Sequence, residues 1–263
     1  MKYLLFIYFF ISCNALEVLT DAKSKIDPGF EQNNQSLHNS LIAFWRFEEA
    51  AVGDKFDTNG TNALQIQGNS NPPLFTGAVG NALNCSSSTG VPSLPTLLSS
   101  FPLNISNTGS YSIALWVLPS SSMSAVAVSK LIEFKVAGSI TGFIGLKNTS
   151  GATASPTEIN FEFSPNNTVI PHSFTSANFT HVVFNINRTN NSIVTFINGS
   201  MFHSASIGNT NILSTDAFSF CSSFDSGSTF GKFNGLLDSF GLWNRLLEPS
   251  EISSLYNKSS GLD

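Results

Sequence analysis

Charge is scarce in this chain: Asp, Glu, Lys and Arg make up 11% of its 263 residues, 12 basic against 17 acidic, for a net charge of −5. No run of basic residues occurs, which argues against nucleic acid or an anionic membrane surface as partner. Cysteine is nearly absent, with 3 residues, too few and too dispersed for a zinc site. The 4 histidines, His38, His172, His181 and His203, show no metal-ligand spacing. A phosphate-binding Gly loop and a nucleophile-elbow serine are both missing, so no covalent nucleophile suggests itself. Past residue 15 no stretch approaches the roughly 20 apolar residues a spanning helix needs, so no membrane span is expected.

What is present begins with residues 1–15. One Lys precedes an apolar run from Tyr3 to Ile11, and Cys13-Asn14-Ala15 supplies small residues suited to signal peptidase cleavage after Ala15. This predicts a signal peptide and a secreted, extracellular protein, with lipid anchoring through Cys13 as the alternative processing. Cys85 and Cys221 then form an even pair in an oxidising compartment, and a disulfide between them is expected, the alternative being two separately buried thiols. Acceptor sequons stand at Asn34, Asn59, Asn84, Asn104, Asn148, Asn166, Asn178, Asn187, Asn190, Asn198 and Asn257. In a eukaryotic secretory pathway several would carry glycans, although a chain this rich in Asn, Ser and Thr also generates sequons by chance.

Residues 16–40 mix Asp, Lys, Gln and Asn with few large apolar groups, and read as a linker or N-terminal arm. From Leu41 to the end the chain alternates short runs of Phe, Ile, Val and Thr with Ser, Asn, Gly and Pro clusters, the pattern of one all-β sandwich over residues 41–263. Glu158-Ile159-Asn160-Phe161-Glu162-Phe163 alternates strictly, with Ile159, Phe161 and Phe163 on one face and Glu158, Asn160 and Glu162 on the other. Ser192 to Ile197 reads as a strand entering an Asn198-Gly199 hairpin turn. Pro249 suits the first turn of a short helix whose Ile252, Leu255 and Tyr256 share a face. Trp45, Trp116 and Trp243, each flanked by apolar residues, are read as core; Phe75, Phe101, Phe143, Phe224 and Phe230 are candidate sugar-stacking rings that the sequence does not rank.

Several segments in order carry a family resemblance. Leu41 to Glu49 (LIAFWRFEE) is similar to the opening strand of laminin-G-like jelly-roll domains, and Asp57 to Asn62 (DTNGTN) to their Asp-and-Gly loop, with Gly77 to Leu83 (GAVGNAL) beyond it. Ser110 to Pro119 (SYSIALWVLP), Phe179 to Phe184 (FTHVVF) and Asn191 to Gly199 (NSIVTFING) follow. The closing stretch, Phe233 to Leu247 (FNGLLDSFGLWNRLL) and on to Tyr256, resembles the family's last strand and helix. The resemblance covers roughly residues 41–257 and implies a two-sheet antiparallel jelly roll of the concanavalin A-like lectin and glucanase superfamily, with a short C-terminal helix.

That resemblance implies a non-catalytic recognition module for glycan or for glycosylated or matrix protein, assisted by Ca2+ at one rim. The matching metal positions are Asp57 and Asp238, helped by Asn59, Asn62 and Glu48, since calcium takes six to eight oxygens. The chain departs from the family at Ser239, where a second acidic residue is common, and in its shortened first loop. An alternative from the same superfamily is a laminarinase- or lichenase-type glycoside hydrolase using Glu158 and Glu162, whose strand there carries an Asp where this chain has Asn160. A third reading is a structural surface or adhesion protein.

Overall fold

The computed structural model describes residues 36–48, 55–56, 63–67, 74–85, 96–99, 109–121, 123, 128–136, 139–150, 154–163, 166–207, 217–221 and 233–257. The expected signal peptide, most of the arm, Asp57, Asn59, Asn62, Phe101, Phe224 and Phe230 lie outside these residues. The described residues form two antiparallel sheets, a helical turn at residues 36–38 and a short C-terminal helix. The first sheet runs β14 (Ser200–Ser206), β13 (Ser192–Ile197), β12 (Thr180–Asn187), β7 (Tyr111–Pro119), β16 (Gly235–Trp243), β5 (Asn81–Asn84) and β4 (Leu74–Thr76), and β1 (Leu41–Trp45) also pairs with β16. The second runs β11 (Asn166–Pro171), β10 (Glu158–Phe163), β9 (Ser139–Lys147), β8 (Val128–Val136), β15 (Ala217–Phe220), β6 (Thr96–Ser99), β3 (Ala63–Gln67) and β2 (Lys55–Phe56). The last strand returns beside the first, with Ala43 opposite Leu242 and Trp45 opposite Phe240, so the jelly roll closes as the sequence implied.

Strand alternation decides what each face of the first sheet meets. Ile113, Leu115 and Val117 of β7, Val182, Phe184 and Ile186 of β12, and Leu237, Phe240 and Leu242 of β16 point inward with Trp45. There they join Ile132, Phe134, Ile144, Leu146, Ile159, Phe161, Phe218 and Phe220 from the second sheet. Trp45 packs edge-on against Phe218 at 5.5 Å and stacks with Phe240 at 5.8 Å. Ile159 and Phe161 thus take the inward face that the alternation assigned them. Cys85, just past β5, and Cys221, just past β15, are joined by a disulfide with Cα atoms 5.3 Å apart, so the bond ties one sheet to the other.

The opposite face of the first sheet has its own cover. Phe44, Ala114, Val183, Phe196 and Trp243 are buried under Leu37, Leu247 and the helix α1 (Pro249–Tyr256), which contributes Ile252 and Leu255. Leu37 belongs to the helical residues 36–38 ahead of β1, and its carbonyl accepts the Trp243 indole N–H at 2.7 Å. Pro249 opens α1 as expected, and Glu251 accepts the Glu248 backbone N–H at 2.8 Å, closing one side of a capping box. Arg245 holds this cover in place: it donates to both Glu251 carboxylate oxygens, at 2.6 and 2.7 Å, and to the carbonyls of Ser36 and Asn39. Burial works to raise the Glu251 pKa, but the hydrogen bonds from Arg245, Ser36 and Glu248 and the Arg245 charge outweigh it and hold the carboxyl below its ordinary value.

The sequon at Asn148 is absorbed by the fold. Asn148 is fully buried, and its Nδ2, the atom a glycan would modify, donates to the carbonyls of Met123 at 3.2 Å and Ala154 at 3.4 Å. Its Oδ1 accepts from the Ser150 backbone and hydroxyl. Produced in a glycosylating host, the protein is expected to yield the Asn148 peptide unmodified, while the exposed Asn190 is open to modification. Peptide mass mapping checks this, and glycan on Asn148 in folded protein would contradict it.

Candidate functional site

At one rim of the sandwich, the turn between β4 and β5 is gripped by two acidic side chains. Gly77 N–H donates to the Gly80 carbonyl at 2.8 Å, and Gly80 takes φ 58°, a left-handed conformation open to glycine. Asp238 Oδ2 accepts the Val79 N–H at 2.9 Å, and its Oδ1 accepts the Ser239 hydroxyl at 3.2 Å. Glu48 accepts the Asn81 backbone N–H through both oxygens, each at 3.1 Å, and the Asn81 side-chain amide besides. A Cβ on Gly77 would strike Asp238, and one on Gly80 would strike Glu48. The two glycines are therefore what lets the carboxylates close on the backbone.

A bulge aims Asp238. The register between β16 and β7 shifts between Asp238 and Gly241, and Ser239 there has φ 45°. Asp238 is fully buried, and desolvation pushes its carboxyl up to about 7. Amide hydrogen bonds from Val79 and Ala78 and the Ser239 hydroxyl pull the other way, while the nearby Glu48 charge pushes up further. The structure thus brings Glu48 and Asp238 of the anticipated metal set to one turn. These two carboxylates fit a divalent cation in charge but supply only part of its six to eight oxygens. Among the described residues no three His, Cys, Asp or Glu gather as a metal cluster.

The Glu158–Asn160–Glu162 face belongs to the other side of the molecule, the outward face of the second sheet. Glu158 and Glu162 are half-buried, and Asn160 between them is buried with its Nδ2 lacking a partner. A third carboxylate not anticipated from the sequence shares this face: Glu133, Phe143 and Glu162 stand opposite one another across β8, β9 and β10. Glu133 is fully buried and forms an ion pair with Lys130, whose ammonium lies 5.3 Å from the centre of the Phe143 ring.

Beyond the gripped turn lies an open cleft of about 640 Å³. Gly77 and Ala78 form one wall and the Trp116 ring its floor; Asn178 and Phe179 border it, as do Asn198, Tyr256 and Asn257. Trp116 sits on β7 opposite Asp238 on one side and His181 on the other, so all three face away from the inter-sheet core. The Trp116 ring stacks with Tyr256 at 5.7 Å and lies 4.8 Å from His181. Burial pushes His181 down to about 3, so the imidazole is neutral, and its Nδ1 has no partner. Asn198 and Gly199 both adopt positive φ, as the hairpin reading required, and the Asn198 side chain accepts the His181 backbone N–H at 2.9 Å. Trp116 is buried, in line with the core reading, yet it belongs to this cleft and not to the inter-sheet cluster. Of the other candidate rings, Phe75 is 49% exposed on β4 and Phe143 is half-buried.

Two antiparallel sheets packed face to face, with a strapped rim turn, define a jelly-roll sandwich of the lectin type. A family model described as the concanavalin A-like lectin/glucanases superfamily, laminin G type, matches residues 95–253, and the chain belongs to that family. Among solved structures, domain 4 of AbnA, a GH43 extracellular arabinanase from Geobacillus stearothermophilus, in complex with arabinotriose, is similar at TM-score 0.59 and 19% identity, over 82% of this chain and 98% of that one. The binding domain of botulinum neurotoxin DC in complex with SialylT gives TM-score 0.60 and 16% identity, over 85% of this chain and 52% of that one. That of Paraclostridial Mosquitocidal Protein 1 gives 0.59 and 15%, over 83% and 52%. The chain spans about half the length of these two toxin domains, and identities this low establish a shared fold alone. No curated protein sequence matches at a significant level.

Proposed function

We propose that this protein is a secreted, non-catalytic recognition module for glycans or for glycosylated or matrix proteins. The observation that carries this reading is the use to which the rim acids are put: Asp238 and Glu48 hold backbone amides of one turn, and that turn walls an open cleft lined by rings and amides. On the second sheet Glu158 and Glu162 flank Asn160, which cannot ionise, and Glu133 is committed to Lys130. Solved domains of similar fold include one in complex with arabinotriose, which fits the same reading. Screening on an immobilised glycan panel is expected to return a ligand; binding to protein partners alone would redirect the proposal to protein recognition.

Catalysis is the competing reading. Purified protein is expected to release no reducing sugar from β-glucans, and the Glu158→Gln variant to be indistinguishable from it. Release by the parent that the variant abolishes would establish the hydrolase.

Calcium belongs to the proposal as a structural aid. Asp238 and Glu48, together with Asp57, Asn59 and Asn62, would hold it, and its charge would relieve the repulsion between buried Asp238 and half-buried Glu48. Millimolar calcium is expected to raise the melting temperature by a few degrees, reversibly with chelator, as mass action requires of a ligand bound to the folded state. Identical melts with and without the ion would remove calcium from the account.

A further inference from the structure

We propose that the cleft over Trp116 is the binding site, and that its ligand is an uncharged saccharide unit held by Tyr256 and by the amides of Asn178, Asn198 and Asn257. The assignment rests on the recognition reading above and gives it a place and a ligand class. Among the described residues, no side chain lining the cleft carries a charge. Nothing in the lining would therefore offset the desolvation of a carboxylate, sulfate or phosphate entering it, and such a group would also meet the field of a net-acidic chain.

The lining suits a sugar in both of its aspects. A pyranose or furanose ring presents an apolar face of C–H groups and a periphery of hydroxyls. Tyr256 offers the apolar wall: it is 36% exposed and is held in place by its stack on Trp116 and by the close approach of Gly199, where an added Cβ would fall 3.1 Å from the Tyr256 ring. Pre-positioning of this kind lowers the side-chain entropy lost on binding. Asn178, Asn198 and Asn257 are all exposed; the Asn198 Oδ1 already accepts the His181 N–H and the Asn257 Nδ2 already donates to Ser253, which leaves the Asn198 amide nitrogen and the Asn257 carbonyl oxygen to meet ligand hydroxyls. Beside the Trp116 ring His181 is neutral and buried, so it adds no positive charge near neutral pH.

Each of those three asparagines also begins an acceptor sequon, so the test uses protein from a bacterial host, which leaves the amides bare. The probes are uncharged arabino-, gluco- and N-acetylglucosamine oligosaccharides alongside sialyllactose and heparin-derived oligosaccharides, with affinity read by calorimetry. At least one uncharged oligosaccharide is expected to bind, and Tyr256→Ala and Asn178→Ala are each expected to weaken it by roughly tenfold or more. Asn178 is exposed on a loop, so its variant reports on the site even where Tyr256→Ala loosens the helix end. If the parent binds none of the probes, glycan recognition fails and this assignment with it, and only recognition of protein partners remains. Binding that both variants leave unchanged would place the ligand elsewhere, and preference for the anionic oligosaccharides would overturn the ligand class; either result sinks this assignment while the recognition reading stands.

Discussion

Replacing Cys85 and Cys221 together by alanine is expected to lower the unfolding free energy by about 4–5 kcal/mol. The bond closes a loop of 136 residues, and in the chain-entropy account the open chain recovers that much freedom when the link is cut. Its position adds to the expectation. Cys85 N–H donates to the Gly235 carbonyl and Cys221 N–H to that of Leu131, so the link joins backbone already hydrogen-bonded into both layers. Against the roughly 5–15 kcal/mol typical of a domain, a loss of this size is about a quarter of the total or more. Urea unfolding of the parent, the double variant and the parent with reductant checks it. A difference below about 1 kcal/mol would mean that the denatured chain keeps the two cysteines close without the bond.

The second large effect is a pH dependence that two buried groups conceal from each other. His181 is held at about 3 when folded against 6.5 for the free side chain, so below pH 6.5 the unfolded chain gains a proton that the folded state refuses. Its contribution to stability therefore falls as pH drops from 6.5 toward 3. Asp238 is held at about 7 against 3.8, so between those values the folded state keeps a proton that the unfolded chain has released. Its contribution falls as pH rises through that window. Each slope is about 1.4 kcal/mol per pH unit, and between about pH 4 and 6.5 they oppose and nearly cancel. Asp238→Asn removes one of them. Relative to the parent, that variant is expected to gain stability by roughly 1.4 kcal/mol per unit from pH 4 to 7, on the order of 4 kcal/mol in all, and to level off above. Urea melts across pH in chelator read this difference, and parallel profiles for parent and variant would contradict it.

Much of the architecture was legible because strand alternation and turn chemistry act locally. The buried face of β10, the Asn198–Gly199 turn and the Pro249 helix start each follow from residues within a few positions. The pairing of Trp45 with Phe240 was legible only through resemblance, since nothing local joins strands nearly two hundred residues apart. The site was less legible. Alternation places Trp116 on the face opposite Leu115 and Val117, but it does not say whether that face is covered. The cover comes from Leu37 and from Ile252 and Leu255 of α1, which pack over Phe44 and Trp243; at Trp116 only Tyr256, the last residue of the helix, arrives, and a cleft opens there in place of a second core. Tyr256 read as part of an apolar helix face; it continues the row of Ile252 and Leu255 past the covered patch and onto the Trp116 ring. Asn178, Asn198 and Asn257 announced themselves as sequons, and only the fold brings them to one opening. Glu48 and Asp238 were singled out in sequence as ion ligands, whereas the backbone turn they share depends on Gly77 and Gly80 leaving room for both carboxylates.

Binding without turnover separates a recognition module from a hydrolase on this scaffold. The direct measurement is calorimetric titration of the unglycosylated protein with the best oligosaccharide from a glycan panel, followed by mass analysis of the recovered ligand. Saturable binding to one site, with the oligosaccharide returned at its original mass, is the predicted result. Shortened oligosaccharide, or no heat from any member of the panel, would contradict it.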